Sequence, residues 1–183
     1  MTNQIIALFL IIIFYTAYFV KNLSLILKNI KVNHLGKGTK PFRTLLIETI
    51  LKTASIIIVV VQIYSLITNK NQNSIGLFIV ALGVITFITS VIHMKKSWRV
   101  GISNEKSKLI KNGIYKFSRN PAFLGFDLMY IGILITFPNW VHFITTVLTI
   151  IIFHIQILEE EKHLHKVFGK EYTDYKKRVG RYF

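Results

Sequence analysis

Five runs of near-continuous apolar residues, separated by polar segments, constrain this chain more than anything else in it. They cover about 4–27, 44–67, 75–94, 121–137 and 140–158. Runs approaching twenty apolar residues match the roughly 20 that a helix needs to cross ~30 Å of hydrocarbon. The chain is 52% hydrophobic yet carries a formal net charge of +15, and the two properties are segregated along the sequence. Spread over a soluble domain, that charge would suggest nucleic acid. Lying between apolar runs, it reads instead as topology determinants and contacts for anionic lipid at one membrane face, with no nucleic-acid partner.

Counting Lys and Arg sets the orientation. Segments 28–43, 95–121 and 159–183 hold five, eight and seven of them, while the opposite side holds only Lys70. This asymmetry predicts an all-α integral membrane protein with about five transmembrane helices, the N-terminus outside and the C-terminal tail cytoplasmic. One membrane domain over 1–183 is enough, with three spans in 1–94 and a second functional half in 95–183. The first run lacks a basic leader and a small-residue cleavage site, so it is expected to stay as a helix.

Smaller features fill in this frame. Glu48 and Lys52 stand one helical turn apart in the second run, where they can neutralise each other on one face. Gly36-Lys37-Gly38 lacks the spacing of a phosphate loop and reads as a flexible turn. Trp98 reads as an interfacial anchor. Only Pro138-Asn139 separates the last two runs, which predicts a tight antiparallel hairpin. In the tail, Leu164, Phe168, Tyr172, Tyr175 and Val179 recur at helical spacing, with a break near Gly169. The absence of cysteine removes disulfides, thiolate metal ligands and a Cys nucleophile. The histidines lack a convincing metal-ligand spacing, so no metal is proposed.

The densest chemistry lies in 113–125. Asn120 can cap a helix and Pro121 suits its first position, so a helix should start there with its N–H groups facing the polar loop. Arg119 and the rings of Tyr115, Phe117 and Phe123 surround that end. They suit an anionic or a charged, partly aromatic ligand, or else an ordinary capped membrane helix with an interfacial arginine. The hairpin brings Glu159-Glu160-Glu161 to the same end. Three consecutive acids point in different directions, so at most one or two can line one pocket; a solvated start to the tail helix is the alternative. Asp127, about 9 Å along its helix at 1.5 Å per residue, and His154, at similar depth, are expected to face each other or a wet cavity. A structural hydrogen bond and a proton acceptor for a substrate both fit that pair.

Read together, Gly113-x-Tyr115, Arg119-Asn120-Pro121-x-Phe123-x-Gly125, Glu160-Glu161-x-x-Leu164 and Phe168-Gly169-x-Glu171-Tyr172-x-x-Tyr175, followed by Arg178-Val179, carry a resemblance. Over about 95–183 the chain resembles the isoprenylcysteine carboxyl methyltransferase and phospholipid methyltransferase superfamily. The resemblance implies a membrane enzyme that uses S-adenosyl-L-methionine, held by the last two helices, the preceding loop and the tail. It implies cofactor contacts from Lys108, Leu109, Ile110, Tyr115, the Asn120-Pro121-Ala122-Phe123 element and Glu160. Arg119, Asp127, His154 and Gln156 then stand as candidates for the chemistry and the acceptor.

Asn120 and Phe123 replace the family's His and Tyr. Gln156 stands where carboxyl-methylating members carry an Arg, and a neutral amide cannot pair with a substrate carboxylate. A lipophilic amine, thiol or hydroxyl entering from the bilayer fits no worse, with Asp127, His154 or Glu159 as base or cation partner. The expected setting is a bacterial or archaeal cell membrane with the active site facing the cytoplasm. An NADPH-dependent reductase of the sterol-reductase type and a catalytically silent membrane scaffold are the other readings.

Overall fold

The computed structural model describes residues 2–69, 73–103 and 108–183. Lys70, the one basic residue counted on the far side, falls outside them, as does 104–107 of the basic loop. The described residues form six α-helices: α1 (Thr2–Ile26), α2 (Phe42–Thr68), α3 (Ser74–Met94), α4 (Pro121–Thr136), α5 (Trp140–Phe168) and α6 (Lys170–Arg178). Among these residues there is no strand, only an isolated parallel bridge between Asn33 and Val100. Single 3₁₀ turns stand at Lys95–Ser97 and Gly113–Lys116.

Four helices, α1, α2, α3 and α5, are long and apolar enough to cross a membrane. The remaining apolar run, 121–137, forms α4, whose 16 residues reach about 24 Å, short of a full ~30 Å core. Large side chains on α1 such as Phe9, Phe19 and Val20 point outward with more than half their surface exposed. Such a face suits lipid tails and would be costly in water.

Glycine decides which helices meet. Gly76 and Gly83 of α3 face Gly132 and Gly125 of α4, each pair seven residues apart. A Cβ on Gly83 would stand 2.7 Å from the Met129 amide nitrogen, and one on Gly125 would stand 2.8 Å from Phe87. The backbones thus approach as closely as small-residue seams allow, replacing hydrophobic drive with dispersion contact. Phe14 of α1 stacks on Phe87 at 4.4 Å between centroids and meets Phe126 edge-on, closing α1 over the seam.

The expected tight hairpin of α4 and α5 is corrected. The two helices follow each other through 137–139, but α4 packs chiefly on α3 and α5 chiefly on α2. The glycine seam draws α4 away. Asn139 ties α5 to α2 instead: its Oδ1 accepts from the His142 amide, capping α5, while its Nδ2 donates to Ser65 Oγ at 2.6 Å.

Three further expectations change. The tail does not begin a separate helix at the acids, because strong helix formers carry α5 on to Phe168. At 29 residues α5 is about 44 Å long, so 159–168 extend past the apolar stretch 140–158. Gly169, at φ +52, then turns the chain into α6. Trp98 is a core residue, 5% exposed; its Nε1 donates to Asn22 Oδ1 and its ring meets Phe87 edge-on. Glu48 does not pair with Lys52, which is exposed. Lys40 reaches it from the preceding loop at 2.6 Å, because that loop folds back over the start of α2.

Candidate functional site

The three consecutive acids point three ways. Glu159 turns to α2, where it accepts from Thr44 Oγ1 at 3.3 Å, and it also accepts from Lys162 Nζ at 2.8 Å. The Lys162 hydrogen bond holds this carboxyl below its usual value. Glu161 turns to the head of α4. Its Oε1 accepts from Arg119 at 2.7 Å and its Oε2 from Arg181 at 3.0 Å, with Glu161 and Arg119 both 6% exposed. Burial would raise the Glu161 carboxyl, but the two guanidiniums outweigh it and hold it low. Glu160 turns inward, and among the described residues its side-chain hydrogen bond comes from neutral Gln156, Nε2 donating at 2.9 Å. Glu160 lies beyond the apolar stretch of α5, and burial pushes its carboxyl up to about 7. A half-buried carboxylate held by a neutral amide at the wall of a cleft is poised to receive a cation.

Glu160 lines a cleft of about 850 Å³ counted out to its open mouth. Lys108, Leu109 and Ile110 of the loop, Tyr115, and Tyr172 and Tyr175 of α6 also line it. Gly113 makes the loop possible: it sits at φ +60, and a Cβ there would overlap the His93 ring. Tyr115 is braced at both ends. Its hydroxyl pairs with Ser90 Oγ at 3.0 Å, and its carbonyl accepts from Tyr175 OH at 2.7 Å. The brace presents the Tyr115 ring to the cleft and couples it to the tail.

The remaining candidates sit beside the cleft. Arg119 reaches its wall, but its guanidinium donates to Glu161 and to the carbonyls of Lys176 and Val179. Its donors thus fasten the tail. Pro121 does occupy the first turn of α4, but Asn120 makes no side-chain cap. The Asn120 amide donates instead to Glu161 Oε1 and to the Arg181 carbonyl, drawn by the stronger acceptor. Ala122 and Phe123 pack into the core, where Phe123 meets Phe153 edge-on at 5.3 Å.

Asp127 and His154 are not joined directly. His154 Nδ1 pairs with Tyr182 OH at 2.7 Å and the two rings stack. Asp127 is 9% exposed, and its Oδ1 has no partner among the described residues. Burial, then the nearby Asp127 charge, raises the Tyr182 phenol. The tail residues Arg181 and Tyr182 therefore complete this end of the molecule. Residue reading passed over both, because nothing local distinguishes them from a basic, aromatic C-terminus.

Comparison with known proteins now bears on this arrangement. The family described as phospholipid methyltransferase matches residues 71–171, more than half of the chain. The chain belongs to this family. It is similar to the Saccharomyces cerevisiae protein-S-isoprenylcysteine O-methyltransferase, 31% identical over 121 residues, covering 64% of this chain and 50% of the yeast protein. It is similar also to protein-S-isoprenylcysteine O-methyltransferase B of Arabidopsis thaliana, 28% identical over 111 residues, or 58% of this chain and 56% of the plant protein. The Homo sapiens protein-S-isoprenylcysteine O-methyltransferase is 31% identical over 108 residues, 57% of this chain and 38% of the human protein. The chain spans about half the length of the curated relatives it matches, or less. No solved structure matches it significantly. The family match takes in the loop, the glycine seam of α4, α5 and the start of α6, and so most of the cleft.

Proposed function

We propose that this chain is a membrane-embedded methyltransferase that uses S-adenosyl-L-methionine and methylates a lipophilic acceptor entering from the bilayer. The observation that carries the reading is Glu160, a half-buried carboxylate facing a tyrosine-lined cleft in a member of this family. The donor set fits the cofactor. A carboxylate suits its ammonium or ribose hydroxyls, and aromatic faces suit adenine and a sulfonium. Lys108, Leu109, Ile110, Tyr115 and Glu160 would hold it, with Tyr172 and Tyr175 closing the tail side. When bound, the cofactor supplies an already activated methyl group.

The protein's part is then positioning and exclusion of water. Gln156 orients Glu160, and the Arg119–Glu161–Arg181 cluster seals the tail over the head of α4. Asp127 and His154, with Tyr182 between them in charge and contact, are the groups that could take a proton from an acceptor on the α4–α5 side. Gln156 offers no positive charge to a free carboxylate, which favours an amine, thiol or hydroxyl. The basic loops favour a topology of five spans with the N-terminus outside and the cleft cytoplasmic. The test is transfer of label from methyl-labelled cofactor into the organic phase of lipid extracts by purified protein. Label in that phase supports the reading; its absence with folded, cofactor-binding protein overturns it.

A further inference from the structure

Glu48 is a thoroughly bonded side chain outside the cleft lining, and the family match, which begins at residue 71, does not include it. It is fully buried six residues into α2, and four hydrogen bonds converge on its carboxylate. Lys40 Nζ donates to Oε1 at 2.8 Å and to Oε2 at 2.6 Å. The Gly36 amide donates to Oε2 at 2.8 Å, and the Ile102 amide to Oε1 at 2.9 Å. Lys40 also donates to the His34 carbonyl. One carboxylate thus joins the loop before α2 to the loop after α3. The Asn33–Val100 bridge lies alongside, with the His34 amide on the Val100 carbonyl and the Val100 amide on the Val32 carbonyl.

The tethered segment lines the cleft. Gly101, Ile102 and Ser103 face it opposite α5. Gly101 sits at φ +84, and a Cβ there would stand 2.9 Å from the Leu35 amide nitrogen and 3.1 Å from Glu48 Oε1, so this wall is packed directly on the pair. The pair also acts through space, since Glu48 repels the charge on Glu160 and Lys40 attracts it.

We propose that Glu48 and Lys40 are positioning residues of the cofactor cleft, holding its Gly101–Ile102 wall and setting the field at Glu160 where a cationic ligand group is received. This rests on the cofactor reading above. It gives the N-terminal half a role in binding beyond packing: α2 and the loop before it are the back of the site.

The test is calorimetric binding of S-adenosylhomocysteine, whose ammonium is the cationic probe, between pH 5.5 and 8.5. It compares the full-length protein with Glu48→Gln, Lys40→Met and the double variant. Removing Glu48 leaves Lys40 to favour the ionised Glu160, so the midpoint of the binding profile moves to lower pH. Removing Lys40 leaves Glu48 to oppose it, so the midpoint moves to higher pH. The double variant lies between. Other charged or titratable groups facing Glu160 stay in place: Arg99 and Lys108 of the loop, Tyr115, Arg119, His163, and Tyr172 and Tyr175 of α6. A loss of packing alone would weaken binding without moving midpoints in opposite directions.

Hydrogen exchange of the Ile102 amide should quicken in Glu48→Gln. Should that variant not fold, the double variant compared with Lys40→Met gives the same sign, with the double variant lower. Unmoved midpoints in folded variants that still bind overturn the positioning role alone. Absence of binding by folded wild-type protein overturns the cofactor assignment and this role with it.

Discussion

Neutralising Glu161 tests how the tail is held. In Glu161→Gln the side chain keeps its size, but two guanidiniums lose their shared counter-charge. Arg119 loses its partner at 2.7 Å with 6% of its side chain exposed, and Arg181 loses its partner at 3.0 Å with 30% exposed. Breaking a buried ion pair on one side costs about 3–5 kcal/mol. Arg181 can turn partly into water, which places this case near the lower end, at about 3 kcal/mol. Arg119 also binds the Val179 and Lys176 carbonyls, and its amide donates to the Gly180 carbonyl. The loss should therefore appear mainly as undocking of 179–183, with its open population rising ~100-fold. Limited trypsin digestion in detergent, read by intact mass, follows that population when reclosing outpaces cleavage. Cleavage after Arg178 and Arg181 should accelerate by about that factor. Replacing the cluster with apolar side chains, Arg119→Met, Glu161→Leu and Arg181→Met together, should restore much of the melting temperature, since burying charges has its own cost. An unchanged cleavage rate in Glu161→Gln would show that the cluster does not hold the tail.

Three other outcomes follow from the geometry. Glu160 has a carboxyl raised to about 7; a raised folded value means its burial favours the folded state below the unfolded value and loses that contribution as pH rises through about 7. A cationic ligand prefers the ionised form, so S-adenosylhomocysteine affinity should rise roughly tenfold between pH 6 and 8 and flatten above, by titration calorimetry; a flat profile would separate Glu160 from the ligand. Gly83→Ala puts a methyl 2.7 Å from the Met129 amide nitrogen; it should cost about 1–3 kcal/mol of overpacking, seen as a lowered melting temperature, whereas an unchanged one would dissolve the α3–α4 seam. Tyr182→Phe removes the hydroxyl on His154 Nδ1 and should cost about 1 kcal/mol, with little effect on cofactor affinity. A large loss of that affinity would place Tyr182 in the cofactor cleft.

The helices were legible because apolar run length and glycine are local signals. All five long helices begin within two residues of the runs' starts, and Gly169 breaks the tail where the periodicity predicts. Lys108, Leu109, Ile110, Tyr115 and Glu160, singled out by the family resemblance, line one cleft. What was not legible depends on distant partners. Glu48 has a lysine one turn away on its own helix, but the lysine it uses arrives through a loop closed by two positive-φ glycines, Gly36 and Gly38. Asn120 has every local reason to cap α4, yet Glu161, 41 residues away, is a charged acceptor and takes its amide. Trp98 is an interfacial residue by type and a core residue by position, because Asn22 satisfies its N–H inside. Tyr182 carries no local signal at all; the bonds at Val179, Gly180 and Arg181 place it.

The central claim is that Glu160 receives the cofactor. Its most direct test is calorimetric titration of detergent-purified protein with S-adenosylhomocysteine at pH 8, beside Glu160→Gln and with NADPH as the control ligand. The account predicts saturable binding by the wild type, at least about tenfold weaker binding by a variant of unchanged melting temperature, and no NADPH binding. Equal affinity in the folded variant, or NADPH binding in place of S-adenosylhomocysteine, would contradict it.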